Sequence, residues 1–248
     1  MLVEVVCYTI EDVFRARKAR AHRVELCADP GAGGTTPNYG FIKQSAKFDD
    51  IDTMVMIRPR GGDFLYNGQE ILQMEDDIRL AAQLGVQGVV FGVLDETGSF
   101  DRPAMSRLVR LAKGLQLEIT CHRAFDVARD PHESLQILIE LGVDRLLTSG
   151  QQKTAVEGIP LIRELIKRAE GRISIMPGGG IRPEHAGEFL KLDVAEIHTG
   201  SKTKVPSRMK YAPSDVKMGS DDTQEYHWFV DVEAIKSIVE TVRGERLC

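Results

Sequence analysis

Short runs of apolar, often β-branched residues alternate along the chain with stretches whose apolar positions recur every three or four residues. The runs read as strands: VEVVCY (3–8), HRVELC (22–27), TMVMIRP (53–59), QGVVFGVL (87–94), LEITCH (117–122), DRLLTS (144–149), RISIMP (172–177) and AEIHT (195–199). Stretches such as IEDVFRARKA, EILQMEDDIRLAAQL and AVEGIPLIRELIKRA carry helical spacing, and VDVEAIKSIVETVR closes the series as a last helix.

Strand-then-helix units in series imply parallel pairing through crossover helices, because a tight turn joins only antiparallel neighbours. Eight such units predict α/β architecture as a single (β/α)8 TIM barrel over residues 1–248, with an open α/β sheet as runner-up. LGVQGVVFG and LGVDRLLTSG repeat one design: a helix ending in Leu, a glycine suited to left-handed backbone, then a buried strand. KLDVAEIHTG keeps that plan without the glycine. Two connections are long, ADPGAGGTTPN after the second strand and a stretch at about 199–228 after the eighth. The second is read as a loop, since it lacks a periodic core pattern. Both leave C-terminal strand ends, the face on which barrels build their sites.

A 42% hydrophobic and 28% charged composition fits a soluble domain with a sizeable core. The net charge of −5 speaks against a nucleic-acid partner, which requires a dominant basic face. No run approaches the ~20 apolar residues of a membrane helix, and the N-terminus lacks the pattern of a signal peptide. Cys7, Cys27, Cys121 and Cys248 are widely spaced with no C-x-x-C pair. They read as reduced thiols of a cytoplasmic protein rather than a zinc site or disulfide scaffold.

Alternation along each strand assigns an inward face. It turns Glu4, Val6, Glu25, Cys27, Met54, Met56, Arg58, Glu118, Thr120, His122, Glu196 and His198 inward, and Cys7 and Cys121 outward. Glu4, Glu25, Arg58, His122, Glu196 and His198 are then expected near the upper end of the barrel. Buried charges are tolerated when paired or when they serve a ligand, so the set is an ion-pair network or a site.

Three motifs favour a site. IRPRGGDF supplies Arg58, Arg60 and Asp63; HRAFD supplies His122, Arg123 and Asp126. PGGG offers Gly178 and Gly179 as bare backbone after strand seven, and Ser201 follows strand eight, where barrels frequently bind phosphate. One reading is an enzyme acting on a small phosphate- or carboxylate-bearing substrate. Arg58 and Arg60 would clamp the anion, Glu25, His122 and Asp126 would be catalytic, and Arg123, His198 and Asp63 would bind. A non-catalytic small-ligand sensor uses the same pocket.

Taken in order, VELC, GGTTP, IRPRGGDFLY, HRAFD, LTSG, PGGGI and EIHTGS resemble the CutC family of copper homeostasis proteins. The resemblance implies a cytoplasmic TIM barrel, a homodimer or higher homo-oligomer, and Cu(I) binding with Cys27 as metal ligand. It also points to Glu25, Arg58, Arg60, Asp63, His122, Arg123, Asp126 and His198 as site residues. One departure stands out: the family commonly has a first-strand cysteine where this chain has Val6.

Overall fold

The computed structural model describes residues 1–211 and 225–244. All eight expected strands are present: β1 (Leu2–Cys7), β2 (Arg23–Leu26), β3 (Asp52–Met56), β4 (Gly88–Phe91), β5 (Glu118–Cys121), β6 (Arg145–Thr148), β7 (Ser174–Pro177) and β8 (Glu196–Thr199). They are hydrogen-bonded in the order β7-β6-β5-β4-β3-β2-β1-β8, every pair parallel. A parallel bridge between Gly178 and His198 brings the two ends of that sheet together. The fold is the expected TIM barrel.

The crossovers carry α1 (Ile10–Lys18), α2 (Tyr39–Ser45), α3 (Gly68–Gln83), α4 (Arg102–Gly114), α5 (Pro131–Leu141), α6 (Ile159–Ala169) and α7 (Ala186–Leu190); α8 (Val232–Arg243) follows the last barrel strand. Their starts are written locally. Thr9 and Asp12 form a reciprocal capping box on α1, as do Asn67 and Glu70 on α3. Aspartates 101, 130 and 231 cap α4, α5 and α8. In the repeated helix-to-strand turns Gly85 and Gly142 take φ of 78° and 79°. Asp193, which stands where the third copy lacks glycine, adopts φ 56° instead.

Strand parity separates two buried layers. Val5, Cys7, Leu26, Val55, Ile119, Cys121 and Ile197 join the helices in the main core. Val6, Cys27, Met54, Met56 and Val90 form a distinct apolar cluster on the other face. Thus the two thiols expected to point outward do so, and Val6 and Cys27 share the interior.

The stretch after β8 departs from expectation. It contains β9 (Lys202–Pro206) and β10 (Tyr226–Val230), paired antiparallel with Lys202 opposite Val230 and Lys204 opposite Trp228. Residues 212–224 of the expected loop lie outside the described residues. The hairpin is tied to the barrel where the Val230 amide donates to Asp12 Oδ1 at 2.7 Å. Among the described residues no helix is long and apolar enough to cross a membrane.

Candidate functional site

The lower interior of the barrel is filled by charge. Arg23, only 3% exposed, bridges Glu4 of β1 and Glu196 of β8. Arg145 meets Glu196 at 2.7 Å and donates to the Thr120 hydroxyl at 3.0 Å. Burial pushes Glu196 up, but the charges of Arg23 and Arg145 outweigh it and hold the carboxyl below its usual range. Glu196 therefore belongs to a neutralised floor rather than the mouth. Neither arginine was singled out in the sequence, although both sit at inward-facing strand positions.

Above this floor lies a cavity of about 210 Å³. Glu25, Cys27, Arg58, His122, Arg123 and His198 line it, with Val6, Tyr8, Met56 and Phe64 as apolar wall and Gly179 and Gly180 as bare backbone. Adjacent strands supply the wall because register places Val6 beside Glu25, and Glu4 beside His198.

Glu4 links floor and mouth. Its second carboxylate oxygen meets His198 Nδ1 at 2.8 Å. Burial alone would raise the Glu4 carboxyl; Arg23 and His198 overcome it and lower the value to about 2. His198 is correspondingly raised: burial works against its charge, but the hydrogen bond to Glu4 and the charges of Glu25 and Glu4 prevail. The other ring nitrogen stands 3.8 Å from Glu25 Oε2. Glu25 itself is pushed up to about 7, chiefly by burial, with His198 opposing and Glu4 adding to the shift. Its Oε1 is buried without a hydrogen-bond partner.

Opposite stand His122 and Arg58. The Ala124 amide donates to His122 Nδ1 at 3.3 Å, so the neutral ring carries its proton on Nε2. Burial, then the charge of Arg58, lowers His122 to about 3, and its Nε2 has no protein partner. Arg58 spends its terminal nitrogens on backbone, donating to the carbonyls of Ala32, Gly34 and Gly62 at 2.7, 2.9 and 2.8 Å. Its Nε is buried without a partner. Phe64 sits between the two, 4.9 Å from the His122 ring and 4.7 Å from the Arg58 guanidinium carbon.

Several expected site residues lie elsewhere. Arg60 pairs with Glu70 at 2.6 Å and with Asp63 at 3.0 Å, and neither Arg60 nor Asp63 lines the cavity. Each satisfies the other outside the barrel, so the anion clamp expected of Arg58 with Arg60 does not form. Asp126 is saturated: it accepts from Thr148 and Ser149 hydroxyls, from the Ser149 and Gln151 amides, and from Arg123 Nε at 2.7 Å. It positions Arg123, whose other terminus donates to Ser149 Oγ at 2.8 Å. Gly178 belongs to the barrel seam, where a Cβ would fall 2.9 Å from that of His198. Ser201 lines a neighbouring cavity.

A family model described as the CutC family matches residues 1–203. The chain belongs to the CutC family. It is 51% identical over 221 residues to a CutC family protein of Parabacteroides distasonis, covering 88% of this chain and 90% of that one. A Pasteurella multocida CutC family protein is 43% identical over 244 residues, 97% of this chain and 99% of the relative. A solved CutC structure from Streptococcus agalactiae, named for copper homeostasis, superposes with a TM-score of 0.75 at 36% identity. That match covers 80% of this chain and 97% of the other.

Soft donors for the Cu(I) ion implied by CutC membership are sparse here. Among the described residues Cys27 is the one cysteine lining the cavity, next to Met56; Cys7 and Cys121 are in the outer core. Burial, then the neighbouring Glu25 charge, pushes the Cys27 thiol well above its usual value, which disfavours the thiolate that Cu(I) prefers. With Val6 in β1 and two guanidinium groups lining the same cavity, these residues do not fit a multi-thiolate copper centre.

Proposed function

We propose that this CutC-family barrel is an enzyme acting on a small phosphate- or carboxylate-bearing substrate at its C-terminal mouth, with Glu25 moving a proton. One observation carries the reading. Glu25 Oε1, Arg58 Nε and His122 Nε2 are all buried without partners, and all three residues line the same cavity. Buried polar groups are nearly always paired, and each orphan costs roughly 1–3 kcal/mol. A ligand with an acceptor oxygen toward Arg58 and His122, and a hydrogen-bearing atom toward Glu25, repairs all three.

The chemistry follows from the two walls. A carboxyl at about 7 is matched to proton transfer near neutral pH. Ionised Glu25 takes a proton from a carbon next to a carbonyl, and the electron pair of that C–H bond moves onto the carbonyl oxygen. Neutral His122 cannot serve as an imidazolium acid, but its Nε2–H donates to that developing oxyanion together with Arg58 Nε–H. This changes the role expected of His122 from acid/base to oxyanion donor.

Thermal-shift measurements with small phosphorylated and carboxylated carbonyl compounds test the proposal. A true ligand at ~100 times its dissociation constant adds roughly 2.7 kcal/mol of stability. His122→Ala should reduce the shift, while Glu25→Gln should keep it and lose exchange of the carbon-bound hydrogen with D2O. The reading fails if no such compound stabilises the protein, or if His122→Ala retains the full effect. The copper alternative is separated by anaerobic Cu(I) titration. Tight stoichiometric binding that vanishes in Cys27→Ser would restore it.

A further inference from the structure

A second cavity, of about 560 Å³, adjoins the first across a shared rim made by Gly180 and Gly200. Both rim residues are glycine, so the rim itself contributes only backbone, with Val6 Cγ1 3.1 Å from where a Cβ on Gly200 would stand. Arg182, Pro183, Ser201, Lys202, Trp228 and Asp231 form its walls. These come from the loops after β7 and β8 and from the hairpin, the region where barrels frequently hold phosphate.

Its charge is unbalanced toward cations. Neither Arg182 nor Lys202 makes a salt bridge among the described residues, the main opposing charge on Lys202 being that of Asp12. Asp231 is occupied as the cap of α8, with Oδ1 accepting from the Glu233 and Ala234 amides at 3.1 Å each. The Lys202 ammonium stands 3.9 Å over the ring of Tyr8, a residue of the first cavity, and so marks the junction. Its backbone is held by β9–β10 pairing, and burial lowers its proton affinity, which favours a ligand that restores the charge.

We infer that this outer cavity is a phosphate subsite and that the substrate is a small phosphate monoester with a carbonyl at its other end. The inference rests on the enzyme reading above. Arg182 offers a planar fork, Lys202 a point charge and Ser201 a hydroxyl, which together match the three oxygens of a dianion better than the two of a carboxylate. The ester chain crosses the glycine rim and brings the carbon beside its carbonyl to Glu25 and the carbonyl oxygen to His122. No covalent change occurs at the phosphate.

Trp228 is the only tryptophan in the chain and lines the outer cavity but not the first, so its fluorescence distinguishes the two spaces. Inorganic phosphate, titrated into the full chain, should give a saturable change in Trp228 emission and a rise in Tm. The double variant Arg182→Ala, Lys202→Ala should weaken both at least tenfold, whereas His122→Ala should leave them. Glycolaldehyde phosphate should bind at least tenfold more tightly than glycolaldehyde, and the double variant should erase that difference. A Tm rise without a Trp228 response, unaffected by the double variant, puts the anion in the barrel and overturns the subsite while sparing the enzyme reading. No response to phosphate also overturns it. Phosphate binding at the outer cavity with no hydrogen exchange in any phosphate ester sinks the enzyme reading and leaves the subsite standing.

Discussion

His198 lies between two carboxylates of unlike character: its Nδ1 is 2.8 Å from Glu4, and its Nε2 is 3.8 Å from Glu25. The first contact is a hydrogen bond, the second a gap. Glu4 is also fixed by Arg23, so the imidazole is oriented from below and presents its free edge to the ligand space.

Removing the anion beneath His198 should release its proton more easily. In Glu4→Gln the His198 pKa is expected to fall, read from the ring resonances in a pH titration by NMR. Stability should change with it. A carboxyl lowered from 4.5 to about 2 contributes stability above pH 4.5 that is lost as pH falls toward 2. Wild type should therefore lose Tm more steeply than Glu4→Gln over that window; parallel curves would show that the contact does not set the titration.

Glu25 carries the opposite sign. Its folded value of about 7 lies above the ordinary 4.5, so its contribution is intact below pH 4.5 and lost as pH rises through 7. Glu25→Gln keeps the shape and removes the charge. Its Tm advantage over wild type should grow between pH 4.5 and 7 and then level off, with a ceiling on the order of 3 kcal/mol. An advantage that is constant with pH would show that Glu25 is not held neutral by burial.

Arg23→Met tests the floor. It leaves Glu4 and Glu196 buried without the cation between them, and breaking such a network typically costs about 3–5 kcal/mol. Urea denaturation should show that loss as a lower midpoint with an unchanged slope. A loss below about 1 kcal/mol would mean the two carboxyls find other compensation.

Much of this was readable from periodicity. A barrel strand buried on both faces still alternates between layers, so parity alone separated Cys27 from Cys7 and Cys121, and placed Glu25, Arg58, His122 and His198 within. What parity does not encode is height along the strand or partners from distant loops. Arg23 and Arg145 open β2 and β6 without any motif to mark them, yet they are the floor that draws in Glu196. Arg60 and Asp63 carried suitable chemistry but found their partners outside the cavity, and Asp126 is taken up in holding Arg123 and the Ser149 turn. Their competitors for hydrogen bonding, Glu70 and the Ser149 region, are not adjacent in sequence, so no local motif announces them. The β9–β10 hairpin escaped for a related reason: KTKVP and YHWFV alternate correctly, but the intervening chain is too long to signal a turn.

Arg58, the conspicuous cation of the IRPRGGDF motif, mostly grips main chain. By tying the carbonyls of Ala32 and Gly34 to that of Gly62, it joins two connecting segments from successive barrel strands into one body. That side of the mouth is preassembled, so a ligand arriving there has less disorder to overcome. Replacing Arg58 would loosen a whole jaw of the opening, and an affinity lost in that variant would measure softened architecture as much as missing charge.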